Sequence, residues 1–313
     1  MRHLPVIASL IVGSVTACTV DSQDSRGSEH GGASGASAPR ADAGPNKDED
    51  ASAEIPKAFA YKVTLSDPEN RLTAAHADMV ACLEAALDEW GKYLAGKGTL
   101  SVELLVGATA TNRMSGASTS SLWDGACKSM PACTVAQAQA IHRLRTGKSN
   151  EEGQPDIRVT VSPDYWTRLL WVDPKPAERT AAVPPDRLDA ISVFTHELGH
   201  GLGIAGYRSL DTYLPTDAPV ILSAFDDLVV ASVGALTFEG PKTKAALGPI
   251  PLTRNARTEN IYHYGDPQTR SAYDAALMNG IVFDYATRYR VGRVDIRILD
   301  DLGVALRGPV PPS

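Results

Sequence analysis

Apolar residues recur at two spacings along this chain, and the changes from one spacing to the other predict its elements. Tyr61, Val63 and Leu65 alternate with polar neighbours before Ser66-Asp67-Pro68, the pattern of a short strand. From Leu72 the spacing lengthens. Met79, Leu83, Ala86, Leu87, Trp90 and Leu94 then predict a long amphipathic helix ending in the Gly96-Lys97-Gly98 region. Leu100 to Val106 reads as a strand, the Gly-, Ser- and Thr-rich run from Gly107 to Ser121 as loop, and Thr134 to Thr146 as helix. Asp156 to Val161 alternates as a further strand stopped by Ser162-Pro163. After a Pro-rich loop, Asp186 is the expected cap of another helix, with Asp189 in a capping-box position and Leu188, Ile191, Phe194, Leu198 and Leu202 as its apolar stripe. The expected class is α+β: a twisted mixed sheet with two long helices, then an irregular C-terminal half.

The pattern also marks what lies outside that domain. Arg2 and His3 precede an apolar stretch from Leu4 to Val15, too short to stand as a permanent membrane span. It ends in Val15-Thr16-Ala17-Cys18, which resembles a bacterial lipobox, so residues 1–17 are expected to be a lipoprotein signal peptide with Cys18 lipidated. The alternative is ordinary cleavage after Ala17 and a secreted soluble protein. Residues 18–55 are rich in Ser, Gly, Ala and Asp without apolar periodicity, which predicts a disordered tether. The folded domain is expected over residues 56–308, followed by a short tail, 309–313.

Charge changes the picture only by exclusion. The net charge is -7, of which the stretch from Asp21 to Glu54 carries eight acidic and three basic residues. No basic run or stripe is present, so nucleic acid is not an expected partner. Export implies an oxidising compartment, where Cys127 and Cys133 are expected to pair across a short loop. Cys82, on a helical face, is expected to be a buried free thiol.

The chemistry centres on His196-Glu197-Leu198-Gly199-His200. Histidines at i and i+4 on a helix present their imidazoles to one point, as a zinc ion requires, and the adjacent glutamate can serve as base to a water. Gly203 is the expected helix-terminating residue. Catalytic zinc usually takes a third protein ligand. The short-spaced form of the motif would place a histidine at 206, where this chain has Gly206. His263 is the only histidine after the helix, and Asp211, Asp217, Asp226, Asp227, Glu239, Glu259 and Asp266 compete with it. His76 and His142 are expected to be surface residues.

His196-Glu197-x-x-His200-x-x-Gly203, followed by Ala276-Leu277-Met278-Asn279-Gly280, resembles the metzincin zinc peptidases with their methionine turn. The likeness is greatest to leishmanolysin-like bacterial metalloproteases, in which an insertion separates the glycine from the third histidine. Phe225-Asp226-Asp227, Thr237 to Pro241, Ala246 to Leu252 and the closing Asp295 to Gly303 add to the resemblance. It implies a metzincin-like catalytic domain, Zn2+ held by His196, His200 and His263, Glu197 as the catalytic base, and Met278 beneath the metal. It also implies peptide-bond hydrolysis on a protein or peptide substrate; a monomer is expected, held to a membrane by the N-terminal lipid anchor that the lipobox predicts. The alternative is a surface lipoprotein that keeps the zinc site as a binding module without proteolysis.

Overall fold

The structure is a computed structural model that describes residues 58–109, 113–129, 133–208, 220–232, 235–253, 261–265, 273–279, 283–308 and 310. The expected leader and tether, with Cys18, lie outside the described residues, as do Asp211, Asp217, Glu259 and Asp266.

The N-terminal half runs through β1 (Ala60–Ser66), α1 (His76–Gly91), β2 (Thr99–Val106), β3 (Met114–Ser118), β4 (Ser121–Ala126) and β5 (Cys133–Ala138). It continues with α2 (Gln139–Thr146), β6 (Ile157–Val161), α3 (Pro163–Leu169), β7 (Leu170–Trp171), β8 (Leu188–Asp189) and α4 (Ala190–Gly201). The C-terminal half holds β9 (Val220–Ser223), β10 (Val229–Ser232), β11 (Ala235–Phe238), α5 (Pro241–Leu247), β12 (Ile250–Pro251) and α6 (Arg293–Asp301). The class is mixed α+β. Among the described residues, no helix is long and apolar enough to cross a membrane.

The main sheet has the order β1-β2-β6-β3, with the first three strands parallel and β3 antiparallel at the edge. Leu100, Val102, Leu104 and Val106 of β2 and Ile157, Val159 and Val161 of β6 bury alternate side chains. α1 brings Met79, Cys82, Leu83, Ala86, Leu87 and Trp90 to the same core, and α4 packs on α1, β3 and β6. Each buried Val, Leu, Ile or Met among them contributes about 1.5–3 kcal/mol by leaving water. The Trp90 indole donates to the Thr195 carbonyl at 3.0 Å, tying α1 to α4.

Four local expectations are corrected. The stretch Gly107–Ser121 contains β3, whose Met-Ser-Gly-Ala-Ser sequence lacks the bulky alternation that marks a strand. Gly116 shows why its residues are small: a Cβ there would overlap the Glu197 carbonyl of α4. The run from Thr134 divides into β5, paired with β4 and β9, and only then α2; a short apolar run fits either period. α1 stops at Gly91, after which Leu94 bridges Leu306 and Ala95 bridges Ala58. Finally, α4 is capped by Asp189, whose carboxylate accepts from the Ser192 amide at 3.1 Å, while Asp186 is exposed. Leu188 and Asp189 pair with Leu170 and Trp171 as a short ladder, so the helix cannot begin earlier.

In the C-terminal half carboxylates that accept backbone N–H groups fasten the short elements. Asp301 of α6 accepts from the Lys242 and Thr243 amides that open α5, at 2.9 and 2.8 Å. Asp227 accepts from the Lys128 and Ser129 amides, fixing the loop closed by the Cys127–Cys133 disulfide. Asp295, at the first turn of α6, accepts from the Gly292 amide at 2.7 Å and also faces the Met278 amide and Tyr264. Cys82 is a buried free thiol in α1.

Candidate metal centre

α4 places His196 and His200 one turn apart, and both are buried with ring centroids 4.9 Å from each other. His263, from the C-terminal half, closes the group. Its Nε2 lies 3.1 Å from the Nε2 of His196, and its ring is 4.9 Å from that of His200. One nitrogen from each of the three histidines falls within 4.8 Å of the others. Two nitrogens bound tetrahedrally about 2.0–2.1 Å from one ion would be about 3.3–3.4 Å apart, so the closest pair is near ligand–ligand spacing. These three residues can hold a metal ion.

The tautomers of two rings follow from their outer partners. His196 Nδ1 is 2.8 Å from the Leu277 carbonyl, and His200 Nδ1 is 2.7 Å from the Ile204 carbonyl. A carbonyl only accepts, so each Nδ1 carries the proton and each Nε2 turns a lone pair toward the group. Burial, together with the neighbouring His200, pushes His196 down to about 3. Burial likewise pushes His200 down to about 4 and His263 well below its usual value. Neutral imidazoles are the form a metal requires. The edge of Phe283 packs on His196, with ring centroids 5.2 Å apart.

Glu197 is buried beside the two helix histidines, under the backbone of Gly116 in the edge strand. Its Oε2 has no hydrogen-bond partner among the described residues. Burial pushes its carboxyl up to about 8; a cation held by the three histidines would oppose that shift. A buried carboxylate oxygen without a hydrogen-bond partner among the described residues, on the residue adjoining His196, fits a site built to take a cation and a polar ligand.

Met278 is fully buried behind α4, where its sulfur is so close to Gly199 that a Cβ there would stand 2.8 Å away. Its neighbour Leu277 supplies the carbonyl that orients His196, and its own carbonyl accepts from the Tyr264 amide at 2.7 Å. Gly203 follows the last turn of α4 with φ +111°, a conformation that favours glycine.

The rival ligands among the described residues lie elsewhere. Glu239 pairs with Lys244 at 2.6 Å. Asp227 binds the disulfide loop, and Asp226 binds the Tyr207 and Ser223 amides at 2.8 and 3.1 Å. His76 pairs with Asp67 at 3.0 Å and His142 is half-buried on α2; neither joins the group. The contributions of Gly116, Leu277 and Ile204 had no sequence signal, because each acts through its backbone.

No protein-family model, curated protein or solved structure matches this chain.

Proposed function

We propose that this chain is a zinc-dependent endopeptidase with a metzincin-like catalytic domain, similar to the leishmanolysin-like bacterial enzymes. One observation carries the reading: three buried imidazoles from two distant parts of the chain converge, and the residue adjoining one of them carries a buried glutamate oxygen without a partner among the described residues. An all-nitrogen set suits several transition metals. A glutamate positioned as a base next to that set favours zinc hydrolysis over electron transfer.

His196, His200 and His263 would hold the ion, with Met278 as the apolar floor behind α4. Bound there, zinc would supply Lewis acidity toward a water and toward a peptide carbonyl. Glu197 takes the proton the attacking water loses and returns it to the leaving amide nitrogen. Its neighbours keep the base in place: Gly116 closes over the backbone of residue 197, and Leu198 sits in the core. Phe283 shields one edge of His196 from solvent. Residues 1–55 supply the leader and tether of a lipid-anchored, exported protein, by their sequence pattern alone.

Glu197→Gln separates base from ligand. The variant should bind zinc as the parent does and lose at least about 100-fold in cleavage of a casein-like substrate, the scale of general-base catalysis. Metal content by mass spectrometry and turnover on the same preparation check this. Undiminished proteolysis in that variant would sink the assignment.

A further inference from the structure

His200 and His263 belong to segments that meet through one polar cluster, and none of its members is a metal ligand. After α4 the chain passes Ile204, whose carbonyl orients His200, and reaches Gly206, Tyr207 and Arg208. The fully buried Asp226 accepts from the Tyr207 amide at 2.8 Å through Oδ2. Its other oxygen, Oδ1, is 3.2 Å from the hydroxyl of Tyr262, the residue before His263. That hydroxyl accepts from the Arg208 amide at 2.8 Å and is 3.0 Å from the Arg208 carbonyl. A hydroxyl has one proton, so it donates to the carbonyl or to Asp226 while still accepting from the amide. The Tyr262 ring is held in turn against Phe225, with centroids 5.8 Å apart.

The same cluster explains Gly206. A Cβ at 206 would overlap both carboxylate oxygens of Asp226, so any side chain there, a histidine included, would evict the carboxylate. The position that carries the third ligand in the short-spaced motif is here the seat of Asp226. The ligand is supplied instead by the residue that follows Asp226's hydroxyl partner.

We propose that Asp226 and Tyr262 form a positioning pair that docks the His263 segment onto the chain leaving α4 and so completes the metal site. This rests on the reading of His196, His200 and His263 as the metal site. The alternative role, general support of the fold, would lower stability without altering affinity in folded protein.

Zinc affinity distinguishes them, measured on the full chain by competition with a chromophoric chelator. Cobalt(II) absorption serves as a spectroscopic readout, and far-UV circular dichroism gives the folded fraction. Tyr262→Phe keeps the ring on Phe225 and removes only the hydroxyl. Asp226→Asn keeps an acceptor for the Tyr207 and Ser223 amides. Each should weaken zinc binding by about 10- to 100-fold and alter the cobalt spectrum, the usual size of effect for groups that orient ligands. His263→Ala should weaken it further. If His263→Ala loses zinc while both pair variants, folded, bind as the parent does, the positioning role is overturned and the three-histidine site stands. If His263→Ala itself binds as the parent, the three-histidine reading falls and this inference with it.

Discussion

Apolar packing of long elements dominates the N-terminal half and polar fastening of short ones the C-terminal half, and the candidate metal centre lies on the seam between them. In the N-terminal half, alternate residues of β2 and β6 and one face each of α1 and α4 bury apolar side chains against one another. The C-terminal half has short elements; Asp226, Asp295 and Asp301 hold its segments by accepting backbone N–H groups, and Asp227 ties it to Lys128 and Ser129 of the first half. The first half brings the candidate ligands His196 and His200 together by helix geometry, and the carbonyls of Ile204 and Leu277 orient their rings. The second must place the third through specific polar contacts, because no long element carries His263. Apolar packing tolerates approximate fit, whereas a buried carboxylate works only when its donors are all in place.

The comparison can be broken most severely in the apolar half. Trp90 is fully buried between α1 and α4 and donates to the Thr195 carbonyl one residue before His196. Trp90→Ala leaves a large cavity and removes the partner of that carbonyl, so a loss of about 3–5 kcal/mol is expected. Urea denaturation followed by far-UV circular dichroism measures it. A loss under about 1 kcal/mol would mean the helix pair is not the mechanical base of the site.

The polar half should instead be sensitive to pH. Burial pushes the Asp295 carboxyl from 3.8 up to about 7, against the opposing hydrogen bonds from Gly292, Tyr264 and Met278. Between those two values the folded state binds the proton more tightly than the unfolded chain. Stability from this group therefore falls as pH rises from about 4 to about 7 and is flat above. In the N-terminal half, Asp67 and Asp173 act in the opposite sense and in a lower window. Burial opposes their ionisation, but hydrogen bonds from Leu72 and His76 to the first, and from Arg288 and Lys175 to the second, outweigh it. They add stability above about pH 4 and lose it as pH falls below. Asp295→Asn should accordingly flatten the decline of melting temperature between about pH 5 and about pH 7 relative to the parent. Parallel profiles for the two proteins would show that Asp295 is ionised in the folded state.

This division also governs what could be read from the residues alone. The strands at 61–65, 100–106 and 156–161 and the helix carrying His196 and His200 announce themselves through bulky residues at period 2 or 3.6, because packing demands those periods. β3 did not, since its residues are small for an opposite reason: the sheet edge must let the backbone of α4 approach at Gly116. Asp186 satisfies the local preference for a cap, but the ladder between β7 and β8 outweighs it and moves the helix start to Asp189. His263 was one histidine in a loop, weighed against seven carboxylates; only contacts distant in sequence bring it to the group. Asp226 was read as a possible ligand because sequence shows a carboxylate and not its donors.

The smallest expected effect is at Glu239, and it tests whether the seam is made by histidine alone. Glu239 follows β11 and shares its carboxylate between Lys244 at 2.6 Å and the Thr237 hydroxyl at 3.0 Å. Hydrogen bonds from the Lys244 and Thr237 side chains hold its carboxyl below the usual value, the condition of a stabilised surface anion. The Lys244 partner is well exposed, so the pair contributes no more than about 0–1 kcal/mol. Glu239→Ala should shift the melting temperature by no more than a few degrees and leave zinc affinity unchanged, measured by the same chelator competition. A drop in affinity comparable to that of His263→Ala would place a carboxylate among the ligands. The polar half would then contribute charge to the metal as well as position, and the division between the halves would have to be redrawn.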